Sequence, residues 1–293
     1  EGGIKFKGVY DLEEILKRAS KGSILNGEEL LKIAKTLSAS RILRRQIYDA
    51  DERPVLSSLL SHIKTLPEVE KKINFCIEEG GRITNRASQK LEELRLKTLQ
   101  LREERKSILQ SMIRHYSSIL QDNLITERDG RPVLSIKTGA KDQINGIIHG
   151  TSASKNTVFL EPQNVILLGN NILEIQQQID QEEYRILYEL SCLISENFSS
   201  LEHLIKVILR LELSLTRARY SEWLGAVSPT INENEDSSIV FKGLRHPLLL
   251  WQERKEGGIP VVPINIEIDS SLRVVAITGP NTGGKTVTLK TIG

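Results

Sequence analysis

Residues 86–121, RASQKLEELRLKTLQLREERKSILQSMIRHYSSILQ, carry the clearest structural pattern in the chain. Apolar residues recur at spacings of 3, 7, 7 and 4, which is typical of a helix that packs along a partner helix. They are Leu91, Leu94, Leu101, Ile108 and Met112. At 1.5 Å per residue such a helix would be about 54 Å long. The stretch therefore predicts a long helix that needs a partner.

A candidate partner helix follows at residues 170–224. Its apolar stripe consists of Ile172, Ile175, Ile179, Ile186, Leu190, Leu193, Leu201, Leu204, Ile208, Leu211 and Leu215. Nine basic and five acidic residues lie in 82–123, whereas 170–224 holds five basic and nine acidic ones. Opposite charges beside two apolar seams favour an antiparallel pair, although each exposed ion pair adds only about 0.3–0.5 kcal/mol. The stretch NFSS at 197–200 could divide this helix in two.

A segment of different composition, residues 124–169, separates the two helices. Asp129-Gly130 lies between apolar residues and is a hairpin signal. Residues 146–149 and 157–160 have strand character on either side of a polar loop. The segment predicts a small β module inserted at the far end of the helical pair.

Three lysines of this module, Lys137, Lys141 and Lys155, are the candidate nucleic-acid contacts. Five basic residues stand against four acidic ones in 124–169, so the electrostatic footprint is weak. Phe159-Leu160-Glu161 could form an aromatic wedge that opens a base step. Its position in an apolar strand favours core packing instead.

The chain has 293 residues, which allows about two domains of ordinary size. We expect a helical core at 1–81, helices at 82–123 and 170–227 with the β module between them, and a final segment at 228–293. Helix caps and first-turn prolines are expected in the core at Asp11, Asn26, Pro54 and Pro67, with Gly80-Gly81 ending its last helix.

The composition argues against several classes of protein. Lys and Arg total 40 against 38 Asp and Glu, so contact with a polyanion would have to come from local patches. Cys76 and Cys192 fit neither a disulfide framework nor a zinc site. The histidines show no metal-binding spacing, which favours surface or packing roles for His62, His115, His149, His203 and His246. No apolar run approaches 18 residues, and no signal-peptide pattern is present.

Residues 279–286, GPNTGGKT, match the P-loop pattern G-x-x-x-x-G-K-[ST] in full. They follow the apolar run 272–277, which predicts a buried strand, and precede a helix start. In such a loop, backbone N–H groups converge on phosphate oxygens, Lys285 would bind the β- and γ-phosphates and Thr286 would bind Mg²⁺. The predicted nucleotide-binding residues are Gly279, Pro280, Asn281, Thr282, Gly283, Gly284, Lys285 and Thr286.

Hydrolysis also requires an acidic residue on a strand after the P-loop. Glu267 and Asp269 precede the loop, which is the wrong order, so no catalytic residue is assigned. We also expect the strand at 272–277 to lack neighbours on at least one side, which would leave the phosphate loop poorly held. The sequence therefore predicts weak nucleotide binding and no steady ATP turnover by this chain.

The stretch ITGPNTGGKTVTLKTIG at 277–293 resembles the P-loop of the MutS family of ABC-type ATPases. More narrowly, it is similar to the MutS-two branch, recombination-suppressing relatives without the mismatch-reading domains. Residues 85–88, NRAS, 146–162, GIIHGTSASKNTVFLEP, and 245–249, RHPLL, resemble the same branch. One departure is Ile264-Asn265 after Val-Val-Pro, where relatives read Asn-Asp, and this puts base contacts from that turn in doubt.

The resemblance implies a multidomain α + β fold. Its parts would be a helical core, long antiparallel lever helices, a small β clamp module inserted between them and the start of an α/β P-loop ATPase domain. It further implies a homodimeric, ATP-dependent clamp on branched, damaged or mismatched DNA, with ATP and Mg²⁺ as cofactors. The family's Walker B strand, signature loop and Smr nuclease would lie beyond Gly293, so a piece of a longer protein is expected. The expected location is intracellular, in the chloroplast of a plant or the cytoplasm of a bacterium.

Two other functions stay open at this point. The resemblance also allows a ribosome-associated clamp ATPase that acts on collided ribosomes. A structural coiled-coil protein with a vestigial P-loop is the third reading. Binding to junction DNA or to ribosomal particles would separate the first two, and nucleotide binding would test the third.

Overall fold

The computed structural model describes residues 4, 6–47, 53–232, 238–280 and 284–293. The chain forms two compact units, Glu1–Leu209 and Arg210–Gly293. The first unit contains a group of short helices, a long helical pair and a four-stranded sheet. The second contains a two-stranded sheet and two short helices. This is a mixed α + β architecture with small antiparallel sheets.

Four helices open the first unit: α1 (Glu13–Ser20), α2 (Gly27–Ile47), α3 (Pro54–Ser61) and α4 (Pro67–Cys76). The predicted cap at Asn26 is confirmed as a reciprocal capping box. Its Oδ1 accepts from the Glu29 N–H at 2.9 Å, and its own N–H donates to Glu29 Oε2 at 3.0 Å. The N-cap position of α1 is Leu12 and not the predicted Asp11, although Asp11 Oδ1 accepts from the Glu13 N–H at 3.1 Å. Pro54 and Pro67 each occupy a first helical turn, as predicted.

The prediction that Gly80-Gly81 ends the fourth helix is wrong. Helix α4 ends at Cys76, because Ile77 is already extended and bridges Ile83 across a tight turn. Gly80 and Gly81 form that turn with φ of 86° and 77°, in the left-handed region that favours glycine. The glycines therefore reverse the chain instead of capping the helix.

Three longer helices follow: α5 (Gln89–His115), α6 (Gln163–Glu196) and α7 (Phe198–Leu224). Helix α5 is shorter than the predicted stretch, since a 3-10 turn precedes it and a strand begins at Leu120. Helix α6 begins seven residues before the predicted Asn170. A break at Asn197 separates α6 from α7, which agrees with the predicted division at NFSS.

Helices α5 and α6 pack antiparallel within the first unit. At the start of α5, Arg95 Nη2 donates to Glu183 Oε1 in the second half of α6 at 2.7 Å. At the other end, Leu109 near the end of α5 and Val165 in the first turn of α6 share one apolar cluster. Of the predicted α5 seam only Leu91 is fully buried, and the other four residues are half-buried. The predicted antiparallel pairing of the two stretches is therefore observed.

A buried carboxylate fastens the beginning of α5 to α6. Glu182, which is 3% exposed, accepts hydrogen bonds from Arg185 Nη2 and from Ser88 Oγ, both at 2.6 Å. Ser88 is also the N-cap of α5. The bonds from Arg185 and Ser88, with the charges of Arg185 and Lys90, lower the pKa of Glu182 to about 2.

The β module is a four-stranded antiparallel sheet in the order β1-β2-β4-β3. Its strands are β1 (Leu120–Arg128), β2 (Arg131–Lys137), β3 (Gly146–Thr151) and β4 (Thr157–Pro162). Asp129 and Gly130 form the predicted hairpin turn, with φ of 50° and 74°. A 3-10 helix, Thr138–Gln143, joins β2 to β3. The sheet begins four residues before the predicted boundary, and residues 163–169 belong to α6.

The second unit places β5 (Ile239–Leu244) antiparallel to β6 (Ile264–Ile268), with helices α8 (Pro247–Glu256) and α9 (Lys285–Ile292). The predicted buried strand at 272–277 is not formed: Val274 is 83% exposed and Val275 55%. No residue in the described parts of the chain pairs with this run. A strand is stabilised only when its N–H and C=O groups find a neighbouring strand, so the start of a P-loop ATPase sheet is not observed.

No helix in the described ranges is both long and apolar enough to cross a membrane.

Replacing Gly27 with Ala should destabilise the helical core. A Cβ on Gly27 would collide with the Gly81 carbonyl oxygen and lie 2.7 Å from its carbonyl carbon. Overpacking against backbone should cost about 1–3 kcal/mol of unfolding free energy, measured by urea denaturation. Gly139→Ala is the matched control, since no heavy atom lies within 4 Å of its added Cβ. Equal effects of the two changes would contradict the close approach.

Glu182→Gln should destabilise the α5–α6 pair at pH 7 by about 1–3 kcal/mol, because buried hydrogen bonds to an ionised carboxylate are lost. The folded-state pKa lies below the ordinary 4.5, so this stabilisation is complete above about pH 4.5 and disappears as the pH falls toward 2. Thermal unfolding between pH 2 and 7 should therefore depend less on pH in the variant. Glu174→Gln, an exposed change on the same helix, should leave the pH profile unchanged. Matching profiles for the two variants would refute the role of Glu182.

Candidate nucleotide and nucleic-acid sites

The two ends of the P-loop have conformations that favour glycine. Gly279 has φ of 145° and Gly284 has φ of 73°. Helix α9 begins at Lys285, directly after Gly284, and the Thr288 N–H donates to the Gly284 carbonyl oxygen at 2.8 Å. The helix start predicted from the motif is therefore observed. Pro280 lies within the described residues, whereas Asn281, Thr282 and Gly283 lie outside them.

The side chain of Lys285 reaches back across the phosphate loop to its first residue. Its Nζ donates to the carbonyl oxygen of Gly279, so the ammonium group lies at the loop and at the N-terminus of α9 together. A cation beside unpaired helix N–H groups forms a donor set that fits phosphate oxygens. Thr286, exposed in the first turn of α9, carries the hydroxyl that fits Mg²⁺. Across the described ranges, no group of three or more His, Cys, Asp or Glu side chains is arranged to hold a metal.

An apolar cavity of about 510 Å³ lies against helix α9 within the second unit. Its apolar lining consists of Leu249, Ile259, Pro260, Val261, Val262, Ile264 and Val287. Gly284 and Thr288 of the P-loop helix also line it, so the cavity reaches the phosphate end of the site. The Val261 N–H donates to Glu253 Oε2 at 2.8 Å, which holds the Val-Val-Pro turn to α8. The volume is in the range of small-molecule sites.

The structure places Lys137 and Lys155 at one end of the β-sheet, here called the lysine end, and Lys141 on the 3-10 helix that leads from this end toward β3. Lys137 ends β2, and the following Thr138 donates from its N–H to the Asn156 carbonyl oxygen at 3.0 Å. Thr138 Oγ1 donates to the Lys155 carbonyl oxygen at 2.7 Å. Lys141 belongs to the 3-10 helix that Thr138 begins. All three lysines are exposed, and Lys137 Nζ also donates to the Ser118 carbonyl oxygen at 3.0 Å.

The geometry of Phe159-Leu160-Glu161 agrees with core packing. Leu160 and Glu161 are 2% and 1% exposed. Phe159 is half-buried, and the Arg128 guanidinium lies 4.2 Å from its ring centroid. A ring covered by a guanidinium group is not free to enter a base step.

Sequence reasoning missed an ionic cluster around Glu161. His149 Nε2 lies 2.9 Å from Glu161 Oε2, and Arg131 Nη1 donates to Glu161 Oε1 at 3.4 Å. Arg131 Nη2 donates to Asn170 Oδ1 of α6 at 2.9 Å. The prediction of a surface or packing role for His149 is therefore incomplete, because His149 is a partner of a buried carboxylate. The His–Glu pair is twelve residues apart in sequence, and no motif signals it.

The cluster depends on an irregularity in strand β3. Ile148 pairs with Leu160, and Gly150 pairs with Phe159, so His149 is the extra residue of a bulge. A bulge redirects one side chain of a strand. The one available signal was Gly150, whose φ of 147° is unusual for other residues.

Comparison with known proteins gives matches along the whole chain. A protein named Endonuclease MutS2 from Synechocystis sp. is 47% identical over 294 residues, covering all of this chain and 36% of the relative. Proteins of the same name from Geobacillus sp. and Halothermothrix orenii are 36% and 34% identical, covering 100% and 98% of this chain. No protein-family model matches the chain.

The chain spans little more than a third of the length of these relatives. An identity of 47% over the full length of the chain is far above what shared composition alone produces. The chain is accordingly a homologue, along its whole length, of proteins named Endonuclease MutS2, in agreement with the resemblance of its motifs.

Proposed function

We propose that this chain is the nucleotide-binding and nucleic-acid-binding part of an ATP-dependent MutS-type clamp protein acting on branched, damaged or mismatched DNA. The observation that carries the proposal is the complete P-loop pattern at the start of a formed helix, in a chain similar throughout to proteins named Endonuclease MutS2. In the whole protein, two copies would form a homodimer that hydrolyses ATP.

The P-loop would hold the phosphates of ATP. Backbone N–H groups of Gly279 and of residues 281–286, together with the Lys285 ammonium, would bind phosphate oxygens, and Thr286 would bind Mg²⁺. Bound Mg²⁺ neutralises charge on the β- and γ-phosphates. The cavity beside α9 supports a place for the nucleotide base against Val261 and Val262, despite the Ile264-Asn265 departure that follows this turn. None of the residues assigned here activates water, so the chain's own role is binding.

The lysine end of the sheet would contact nucleic-acid phosphates. Lys137, Lys141 and Lys155 are exposed and supported by a hydrogen-bonded backbone, so they present positive charge from a fixed surface. Contacts of this kind position a duplex without reading its sequence. Helices α5 and α6 would act as levers that carry this surface.

Lys285→Ala should weaken binding of a fluorescent ATP analogue with Mg²⁺ about tenfold or more, since a charge-assisted phosphate contact is worth about 1.5–3 kcal/mol. Lys290→Ala removes an exposed lysine from the same helix and should change the affinity less than twofold. Equal binding by all three proteins would contradict the assigned phosphate site. ATP turnover by the 293-residue chain that Lys285→Ala abolishes would show that a catalytic acid has been missed.

Changing Lys137, Lys141 and Lys155 to Gln should weaken binding to every duplex sequence alike. Each lost phosphate contact should reduce the slope of log affinity against log salt by about 0.9. The control changes Lys21, Lys32 and Lys35 of the helical core to Gln, which alters the net charge by the same amount.

Fluorescence anisotropy with junction and linear DNA, and sedimentation with ribosomal particles, would measure the two kinds of binding. Unchanged DNA affinity in the lysine variant would refute the assigned contact. Binding to ribosomal particles in place of DNA would favour the ribosome-associated function.

A further inference from the structure

The buried carboxylate of Glu161 links the β-sheet to helix α6. Glu161 lies on β4 and is 1% exposed. Its partners come from two other strands, Arg131 at the first residue of β2 and His149 at the bulge of β3. Arg131 continues the chain of contacts to Asn170 on α6. One network therefore joins three strands to the helix.

The contact with α6 is close as well as polar. A Cβ added to Gly169 would lie 3.0 Å from Arg131 Nη1 and 3.6 Å from Glu161 Oε1. Any larger residue at this position would press on the ion pair. The Arg131 guanidinium therefore packs against α6 at Gly169 and bonds Asn170 there.

The electrostatics of the region suit a buried carboxylate. Leaving a buried charge without partners costs several kcal/mol, whereas a guanidinium and an imidazole offset the cost. Half-buried Arg105 on α5 is a further nearby cation. Burial and then the Arg102 charge lower the pKa of Arg105, while Glu127 and Glu161 oppose that shift.

We propose that Asn170, Arg131, Glu161 and His149 form a joint through which helix α6 sets the orientation of the β-sheet and so positions the lysine end. The positioning part of this inference rests on the proposed nucleic-acid function. None of the four residues is assigned to touch nucleic acid, so each is a positioning residue.

The length of strand β2 converts a small rotation at the joint into a large displacement of the lysine end. Arg131 is the first residue of β2 and Lys137 the last, so about 20 Å of strand separates the joint from the lysine end. A rotation of 10° at Arg131 moves a point at that distance by about 3.5 Å, which exceeds the length of a hydrogen bond. A loose joint would therefore misplace the lysines without altering them.

The sharpest test is Asn170→Ala, which removes the acceptor on α6 and leaves Glu161 paired with Arg131 and His149. Asn171→Ala is the matched control, because it changes an exposed residue of the same type at the next position of the same helix. Gly169→Ala is a second variant and should act in the same direction by displacing Arg131. Thermal unfolding by circular dichroism checks that each variant remains folded.

The first readout is the distance distribution between spin labels on Ala153→Cys, in the β3–β4 loop at the lysine end, and Glu174→Cys, on α6. Both positions are exposed, and Cys76 and Cys192 are replaced by Ala beforehand. Asn170→Ala and Gly169→Ala should broaden the distribution by about 3 Å or more. Distributions that coincide with those of the unchanged chain and of Asn171→Ala would overturn the joint.

The second readout is DNA affinity as a function of salt. Asn170→Ala should weaken binding about threefold to tenfold with an unchanged salt slope, because fewer molecules hold the lysines in the competent position but the bound contacts are the same. A broadened distribution with unchanged affinity would overturn the positioning role. If the unchanged chain itself binds no DNA, the proposed function fails, while the distance measurement still decides whether the joint exists.

Discussion

The antiparallel packing of α5 against α6 is the constraint on which the first unit depends. The two helices are joined through the whole β module, so their pairing brings both ends of that module together. Glu182 secures one end of the pair with Ser88, the N-cap of α5, and an apolar cluster with Leu109 and Val165 secures the other. If the helices separated, the sheet could not keep both its apolar contacts with α5 and its polar contact with α6.

The module is attached to the helices in two physically different ways. Apolar side chains of the sheet, among them Leu134 and Leu160, pack with the end of α5 and tolerate small shifts. The contact of Arg131 with α6 is directional, since a guanidinium group bonds its acceptors in fixed geometry. Apolar packing therefore holds the module in place, and the ionic cluster sets its angle.

The ends of the P-loop and the helix after it form even though the strand predicted before the loop does not. Gly279, Gly284 and the helix start at Lys285 adopt their expected conformations, because each depends on residues a few positions away. The apolar run at 272–277 stays exposed and unpaired within the described residues, because a strand needs a neighbour that lies far away in sequence. The local conformation of the loop ends and the formation of the sheet are thus separable in this chain.

The sequence by itself determined the features that depend on short-range contacts. The capping box of Asn26, the hairpin turn at Asp129-Gly130 and the division near Asn197 follow from interactions within four residues. The two apolar seams with their opposite net charges also led to the expectation of an antiparallel helical pair. The match of GPNTGGKT and its flanking stretches to a known family required no tertiary information.

Only the tertiary structure decided where helices give way to strands and which charges meet. Leu120 begins a strand instead of ending a helix because it pairs with Ile136, sixteen residues away. Glu161 contacts His149 and Arg131 at separations of 12 and 30 residues, through a bulge whose one sequence signal is Gly150. A buried charge selects partners by position in space, and sequence spacing carries that information only when the partners lie on the same element.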